Sequence, residues 1–336
     1  MNILIRSFNP NINSKTGVPL PPGQTRGTPE WFAFEVWLES CLQDLGHHSS
    51  FQMENPRVVD TIPEAFKKAM DIGENFKRIY VHKCKREVPH GDLFYMQMHM
   101  RNLFTIDKNG WGVDHSDYKE CPGFPDQVPD EAIEWAQEWS DKLLISGLSK
   151  CEQPKETSAT PPRFILAPLQ TPRDYTIRHH SPITVKYFIE SLSAWAEETK
   201  NHVAFKLHPF NKHDHDLIEA VEYGCQSRYV HKVEGNIHEI IKRSDGVFVI
   251  NSGTGFEALI HGKPVASFGA CDYNRVTFNA DIRRLDEARN FIYSYKPDFQ
   301  NLGYKFIWWY CHRHAYDLND PEMQDRLTRY LKGALE

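Results

Sequence analysis

Short β-branched apolar runs alternate along this chain with longer stretches in which apolar residues return every three or four positions. Such alternation predicts strands separated by amphipathic helices, the pattern of a parallel sheet. Strands are expected at 2–8, 78–82, 163–168, 203–207, 247–250 and 264–268, and helices at 29–46, 130–144, 184–200 and 321–335. Pro29 near the first turn and Gly46 at the end are the residues that helix termini favour. Trp135 and Trp139 stand at helical spacing in the second helix. The run 247–250 is short, apolar and β-branched, as expected of a strand covered on both faces.

Two polar stretches interrupt this order. The Pro/Gly/Asn/Thr-rich segment 9–29 is too long for a simple connector and is expected to serve as a binding loop or lid. The Lys/Glu/Pro/Ser/Thr segment 149–162 reads as an interdomain linker. The expected organisation is a first domain at 1–150, a second at 151–290, and an aromatic tail at 291–336 that packs back across both.

Composition narrows the ligand. With 336 residues, 40% hydrophobic and 12% aromatic, the chain can bury the cores of two domains. A formal charge of −6 gives no global basic field of the kind nucleic-acid binders use, so any phosphate site is local and its ligand small. Seven cysteines, odd in number and without a CxxC or CxxH pair, argue for a reducing compartment and against a disulfide frame or structural zinc. The N-terminus lacks a cationic lead, and no apolar run approaches ~18 residues. A cytoplasmic protein is expected, with at most peripheral contact at the inner face of a membrane.

The candidate chemistry lies in the second half. Asn251-Ser-Gly-Thr-Gly255 follows the strand 247–250, and Ser252 or Thr254 can cap a helix beginning near Phe256. A helix N-terminus with close backbone approach is an anion site. Glu257, in the first turn, can accept the paired hydroxyls of a ribose. Lys206 and His208 share one face at the end of the strand 203–207, and Pro209 stops that strand. The segment 169–178 follows the strand 163–168, so all three should meet at the carboxyl edge of one sheet, where open α/β sheets bind ligands. Plainer roles are an ordinary capped turn, a solvated lysine and a satisfied histidine. His213-Asp-His-Asp216 holds possible metal ligands, but its place just before a helix suits capping better.

Pro168-Leu-Gln-Thr-Pro-Arg-Asp174, Lys206-Leu-His-Pro209, the 251–265 segment and Phe268-Gly-Ala-Cys-Asp-Tyr273 together resemble the bacterial capsule polysaccharide biosynthesis family. That family includes β-Kdo glycosyltransferases, which build the Kdo linker between capsule chains and lipid. The resemblance covers roughly 163–280 and touches the first domain only at 104–114. It implies a GT-B-like α/β fold, two Rossmann-like domains facing across a cleft, with the acceptor on the N-terminal side and the nucleotide sugar on the C-terminal side.

By the same resemblance, Asp174 lies near the anomeric carbon and is the nucleophile if configuration is retained. Lys206 and His208 neutralise or protonate the departing phosphate. Gln170, Asn251, Ser252, Gly253, Thr254, Gly255 and Glu257 hold the donor, a CMP-activated ulosonic acid such as CMP-Kdo being favoured. The acceptor is a glycan or glycolipid, and neither metal nor cofactor is required. The plainer role of Asp174 is a turn aspartate after Pro172. Asp107 and Asp114 are candidates for an acidic partner from the first domain, with turn formation beside Gly110 and Gly112 as their plainer role. Two other activities remain open, a non-hydrolysing sugar-nucleotide epimerase and a non-catalytic nucleotide-sugar-binding subunit of a capsule assembly complex.

Overall fold

The computed structural model describes residues 1–8, 29–54, 76–211 and 213–336. The expected lid at 9–29 lies, but for Pro29, outside the described residues. In chain order the first elements are β1 (Asn2–Phe8), α1 (Pro29–Asp44), β2 (His48–Glu54), β3 (Phe76–Val81), β4 (Leu93–Gln97), β5 (Leu103–Asp107) and α2 (Ala132–Ser146). Next come β6 (Ile165–Pro168), α3 (Tyr175–His180), α4 (Val185–Thr199), β7 (Val203–Lys206), α5 (His215–Gly224), β8 (Val230–Lys232), α6 (Ile237–Arg243), β9 (Gly246–Val249) and α7 (Gly253–Ile260). The chain closes with β10 (Val265–Ser267), β11 (Phe278–Asn279), α8 (Leu285–Tyr293), α9 (Pro297–Trp309), a π-helical turn at Tyr310–His314, β12 (Tyr316–Asp317) and α10 (Met323–Leu335).

These elements form two compact units, Met1–Cys121 with Cys311–Glu336, and Pro122–Tyr310. The break therefore falls at 121/122 and not at 150/151, because α2 packs on α9 within the second unit. Trp309 Nε1 donates to Pro122 O at 2.8 Å, which pins the start of that unit to its end. The 291–336 tail is shared between the units: α9 packs on α2 and α7, whereas α10 packs on α1 in the first unit.

The first sheet has the order β12-β5-β4-β3-β1-β2. Its β1, β2, β3 and β4 are parallel, but β5 runs antiparallel to β4, and β12 to β5. The expectation of a parallel sheet fails here because only a short turn, closed by Met98 N–H donating to Leu103 O at 2.8 Å, joins β4 to β5. A parallel crossover needs a dozen or more residues. α1 buries Trp31, Phe34, Leu38, Cys41 and Leu42 along one stripe, and Phe34 stacks on Phe104 at 4.4 Å between ring centroids.

The second sheet, β11-β10-β9-β6-β7-β8, is parallel throughout. Its inner strands β6, β7, β9 and β10 are almost wholly buried because helices cover both faces, and Phe188, Leu192, Phe205, Phe248 and Phe268 share one core cluster. Because all its strands run parallel, the loops after β6, β7 and β9 leave from one edge. Both units are Rossmann-like α/β structures. No helix among the described residues is long and apolar enough to cross a membrane.

Candidate functional site

Register fixes which loops meet. Pro168 pairs with Lys206 and Leu166 with Val247, so the chain emerges at Leu169, Leu207 and Ile250 along adjacent strand ends. Gln170 and Asn251 then lock two of these loops together. Gln170 Nε2 donates to Asn251 Oδ1 at 2.9 Å, and Asn251 N–H donates back to Gln170 Oε1 at 3.2 Å. Asn211 Nδ2 donates to Gln170 O at 2.9 Å and brings in the loop after β7. Both amides are buried and committed to protein partners, so they frame the site.

Ser252 caps α7, its Oγ accepting from Thr254 N–H at 3.3 Å. The helix begins at Gly253, earlier than the expected start near Phe256, because the Ser252 cap makes the two glycines helical. Gly255 N–H donates to Ser252 O at 2.9 Å. Of the amides at 253–255, that of Gly253 alone has no hydrogen-bond partner among the described residues. A Cβ on Gly255 would meet Tyr273 Oη at 2.4 Å, so glycine here admits the tyrosine that hydrogen-bonds Ser252 O.

The earlier helix start moves Glu257 into the second turn. It is buried, and its Oε1 accepts from Ser149 Oγ at 2.5 Å. Thr254 and Glu257 nonetheless sit on one side of the helix, three positions apart.

Asp174 caps α3. Its Oδ1 accepts from Thr176 N–H at 2.9 Å and Thr176 Oγ1 at 2.7 Å, so the turn role is realised. Among the described residues no hydrogen bond engages Oδ2. The basic groups whose pKa values this carboxylate raises are His208 and Lys150. Arg178, four residues further along the chain, contacts His179 Nε2 at 3.3 Å.

Burial pushes the His208 pKa below the ordinary value; Asp174 pulls it up, while Lys206 and Lys150 push it further down. Its Nδ1 accepts from Phe210 N–H at 3.1 Å, which leaves the proton of the neutral ring on Nε2. Lys206 is half-buried, and desolvation lowers its pKa against the pull of Glu257, Cys151 and Glu234. Lys150 is solvent-exposed, and water damps the lowering that its surroundings impose against Cys151, Asp174, Asp272 and Glu257. A cavity of ≈ 490 Å³ adjoins Lys206 and His208 and is walled by Glu152–Pro154 and Lys232–Gly235.

Lys150 and Ser149 were hidden in the stretch read as a linker. That stretch is docked: Ser158 N–H donates to Glu234 O at 2.9 Å, Glu234 N–H to Ser158 Oγ at 3.0 Å, and Ile237 N–H to Gln153 Oε1 at 2.8 Å. Its anchor is His238, whose Nε2 donates to Leu148 O at 3.0 Å and whose Nδ1 therefore accepts from His261 Nε2 at 3.0 Å. A signal existed in Gly235, an isolated glycine opposite this strap, but nothing in sequence paired the two.

Other expected residues fall elsewhere. Asp214 caps α5 by accepting from Leu217 N–H at 3.3 Å, and His213 and His215 are exposed. Asp107 accepts from Asn109 N–H at 2.8 Å and Ser116 N–H at 3.1 Å, a turn role, and Asp114 pairs with Arg86 at 3.5 Å.

A family model described as capsule polysaccharide biosynthesis protein matches residues 129–297. The Escherichia coli capsule polysaccharide export protein KpsS is 25% identical over 182 residues, 51% of this chain and 45% of that protein. The capsule polysaccharide modification protein LipA of Neisseria meningitidis serogroup B is 27% identical over 158 residues, 43% of this chain and 22% of that protein. The chain thus spans less than half the length of these curated relatives. Among solved structures, the β-Kdo 2,7 transferase of Thermosulfurimonas dismutans KpsC matches over 100% of both chains with a TM-score of 0.52 and 14% identity, a likeness of fold.

Proposed function

The chain belongs to the capsule polysaccharide biosynthesis family, whose model covers residues 129–297, and from that premise we propose that it is a glycosyltransferase of capsule or surface polysaccharide assembly. The donor is a CMP-activated sugar, an ulosonic acid such as Kdo favoured, and the acceptor a glycan or glycolipid. What supports this reading is one carboxylate, two lysines and a neutral imidazole grouped beside a helix N-terminus at the carboxyl edge of a parallel sheet. An acidic sugar on a monophosphate brings two anions, and Lys150 and Lys206 suit both without a divalent ion.

In the proposed reaction Asp174 Oδ2 attacks the anomeric carbon while the CMP phosphate leaves. His208 Nε2–H donates to the departing phosphate oxygen, Lys206 balances its charge, and the Gly253 amide at the positive end of α7 adds a hydrogen bond. Ser149 fixes the Glu257 carboxylate, whose remaining lone pairs accept the ribose hydroxyls. An acceptor hydroxyl, its proton passing to the released CMP phosphate, then attacks the same carbon and displaces the Asp174 carboxylate from the glycosyl ester, and two inversions give retention. The seven cysteines are free, which supports a cytoplasmic setting.

The test is protection from thermal unfolding by CMP, UDP and GDP, where a ligand at ~100 times its dissociation constant adds about 2.7 kcal/mol. CMP is expected to protect most. Equal protection by all three, or protection by UDP alone, would refute the donor assignment, and CMP binding without turnover would identify a non-catalytic subunit.

A further inference from the structure

In the first unit, His115, Asp117 and His314 offer one nitrogen or carboxylate oxygen each, all within 4.8 Å of one another. Asp117 Oδ2 lies 3.9 Å from His115 Nδ1 and 3.8 Å from His314 Nδ1, and the two rings are 4.1 Å apart between centroids. We propose that these three side chains bind a divalent transition-metal ion, of the class that accepts two imidazoles and one carboxylate, with zinc the leading occupant.

Several observations bear on this. Both histidines are buried, while the Asp117 side chain is 32% exposed, so the cluster has a dry interior and a wet side where water completes the coordination. His115 Nδ1 accepts from Asp117 N–H at 3.1 Å, so this ring already keeps its Nδ1 lone pair unprotonated, the form a metal requires. A cation would take over that lone pair from the amide.

The surroundings also look built. Asp107, 1% exposed, accepts from Ser116 N–H at 3.1 Å and from Ser116 Oγ, fixing the residue between His115 and Asp117. His314 ends the π-helical turn at Tyr310–His314, a conformation that re-aims side chains and recurs at functional sites. The first unit is discontinuous: its chain leaves at Cys121 and returns at Cys311. One ligand pair comes from just before the departure and the third from just after the return. A metal there clips the two crossings together, and clips that close long loops constrain the unfolded chain most.

The experiment uses tag-free full-length protein stripped with chelator, then titrated with Zn2+ and with Co2+ as a visible-band reporter. One equivalent is expected to bind, with d–d bands from nitrogen and oxygen ligands, and zinc at ~100 times its dissociation constant should raise the unfolding midpoint by about 5 °C. Asp117→Asn and His314→Gln should each weaken binding at least tenfold, whereas a His213→Ala/His215→Ala double variant should bind normally. The chelated variants are compared with chelated wild type by circular dichroism to establish folding. Wild type that binds neither ion, or Asp117 and His314 variants that bind as wild type does, would overturn the assignment. Loss of binding in the 213/215 variant would do the same. None of these outcomes depends on glycosyl transfer.

Discussion

The second unit has only parallel strand pairs, whereas the first turns antiparallel at β4–β5 and β5–β12. The difference is chemical as well as topological. In the second unit, strand direction alone delivers Asp174, Lys206, His208 and Ser252 to one edge, and local hydrogen bonds then refine their positions. In the first, a hairpin and a returning segment bring His115, Asp117 and His314 together, and no strand rule announces it. A parallel sheet concentrates function predictably; a mixed sheet with a discontinuous chain does so by long-range closure.

The widest gap between the units should appear on replacing one aspartate in each. Asp174→Asn keeps a good helix cap, so the unfolding midpoint and CMP affinity should hold while turnover falls on the order of 10³-fold or more. Asp107→Asn should instead cost about 1–3 kcal/mol of stability with chemistry intact once folded, because its carboxylate serves Asn109 and Ser116. Activity assays beside denaturant unfolding decide it. An active Asp174→Asn enzyme, or an inactive but stable Asp107→Asn protein, would reverse the contrast.

A smaller effect is expected at Glu257, where burial combines structure with binding. Glu257→Ala should lose about 1.5–3 kcal/mol, since Ser149 loses a charged partner in a dry place. Glu257→Gln retains an acceptor for Ser149 and should stay folded while CMP affinity drops about tenfold. Calorimetric titration of the Gln variant checks the ribose role, and unchanged affinity removes it.

The mildest test is acid. Burial first, then the neighbouring His238, Lys263 and Lys242, push the His261 pKa down to about 3. Above pH ~6.5 the group is neutral folded or unfolded and contributes nothing to the pH dependence. As pH falls from about 6.5 toward about 3, the unfolded chain takes up a proton that the folded one refuses, and stability falls by up to about 1.4 kcal/mol per unit. His261→Gln should flatten the difference in urea midpoint between pH 7 and pH 5; an unchanged slope would assign the acid sensitivity to other groups.

Much of the second unit was legible because its strands are short β-branched runs ending in Pro168, Lys206 and the 251–255 turn, features that act locally. β2, β4 and β5 escaped notice because HSSFQME is half polar and LFYMQ and LFTID are too brief to show periodicity. The domain boundary was misplaced because composition marked 149–162 as a spacer, while the true crossing at Cys121 carries no such mark. Within the site, the electrostatic neighbours of Asp174 could not be read: Arg173 and Arg178 are near it in sequence, yet Lys150 and His208 are the groups whose pKa values its charge raises. Glu257 was recognised by its place in the motif, but its burial against Ser149 depends on residues far away in the chain.

The strap carrying Ser149 and Lys150 also changes what counts as a remote position. Gly235 holds a φ of +122°, and a side chain there would meet Thr157 Cα at 2.4 Å, backbone against backbone. A methyl group added at Gly235 cannot be absorbed by a swinging side chain; it must lift the strap. Glu257 would then lose its serine through a residue that does not touch it. In a map of mutational tolerance this glycine belongs with Glu257, which it does not touch, as the hinge pin of a door belongs with the lock.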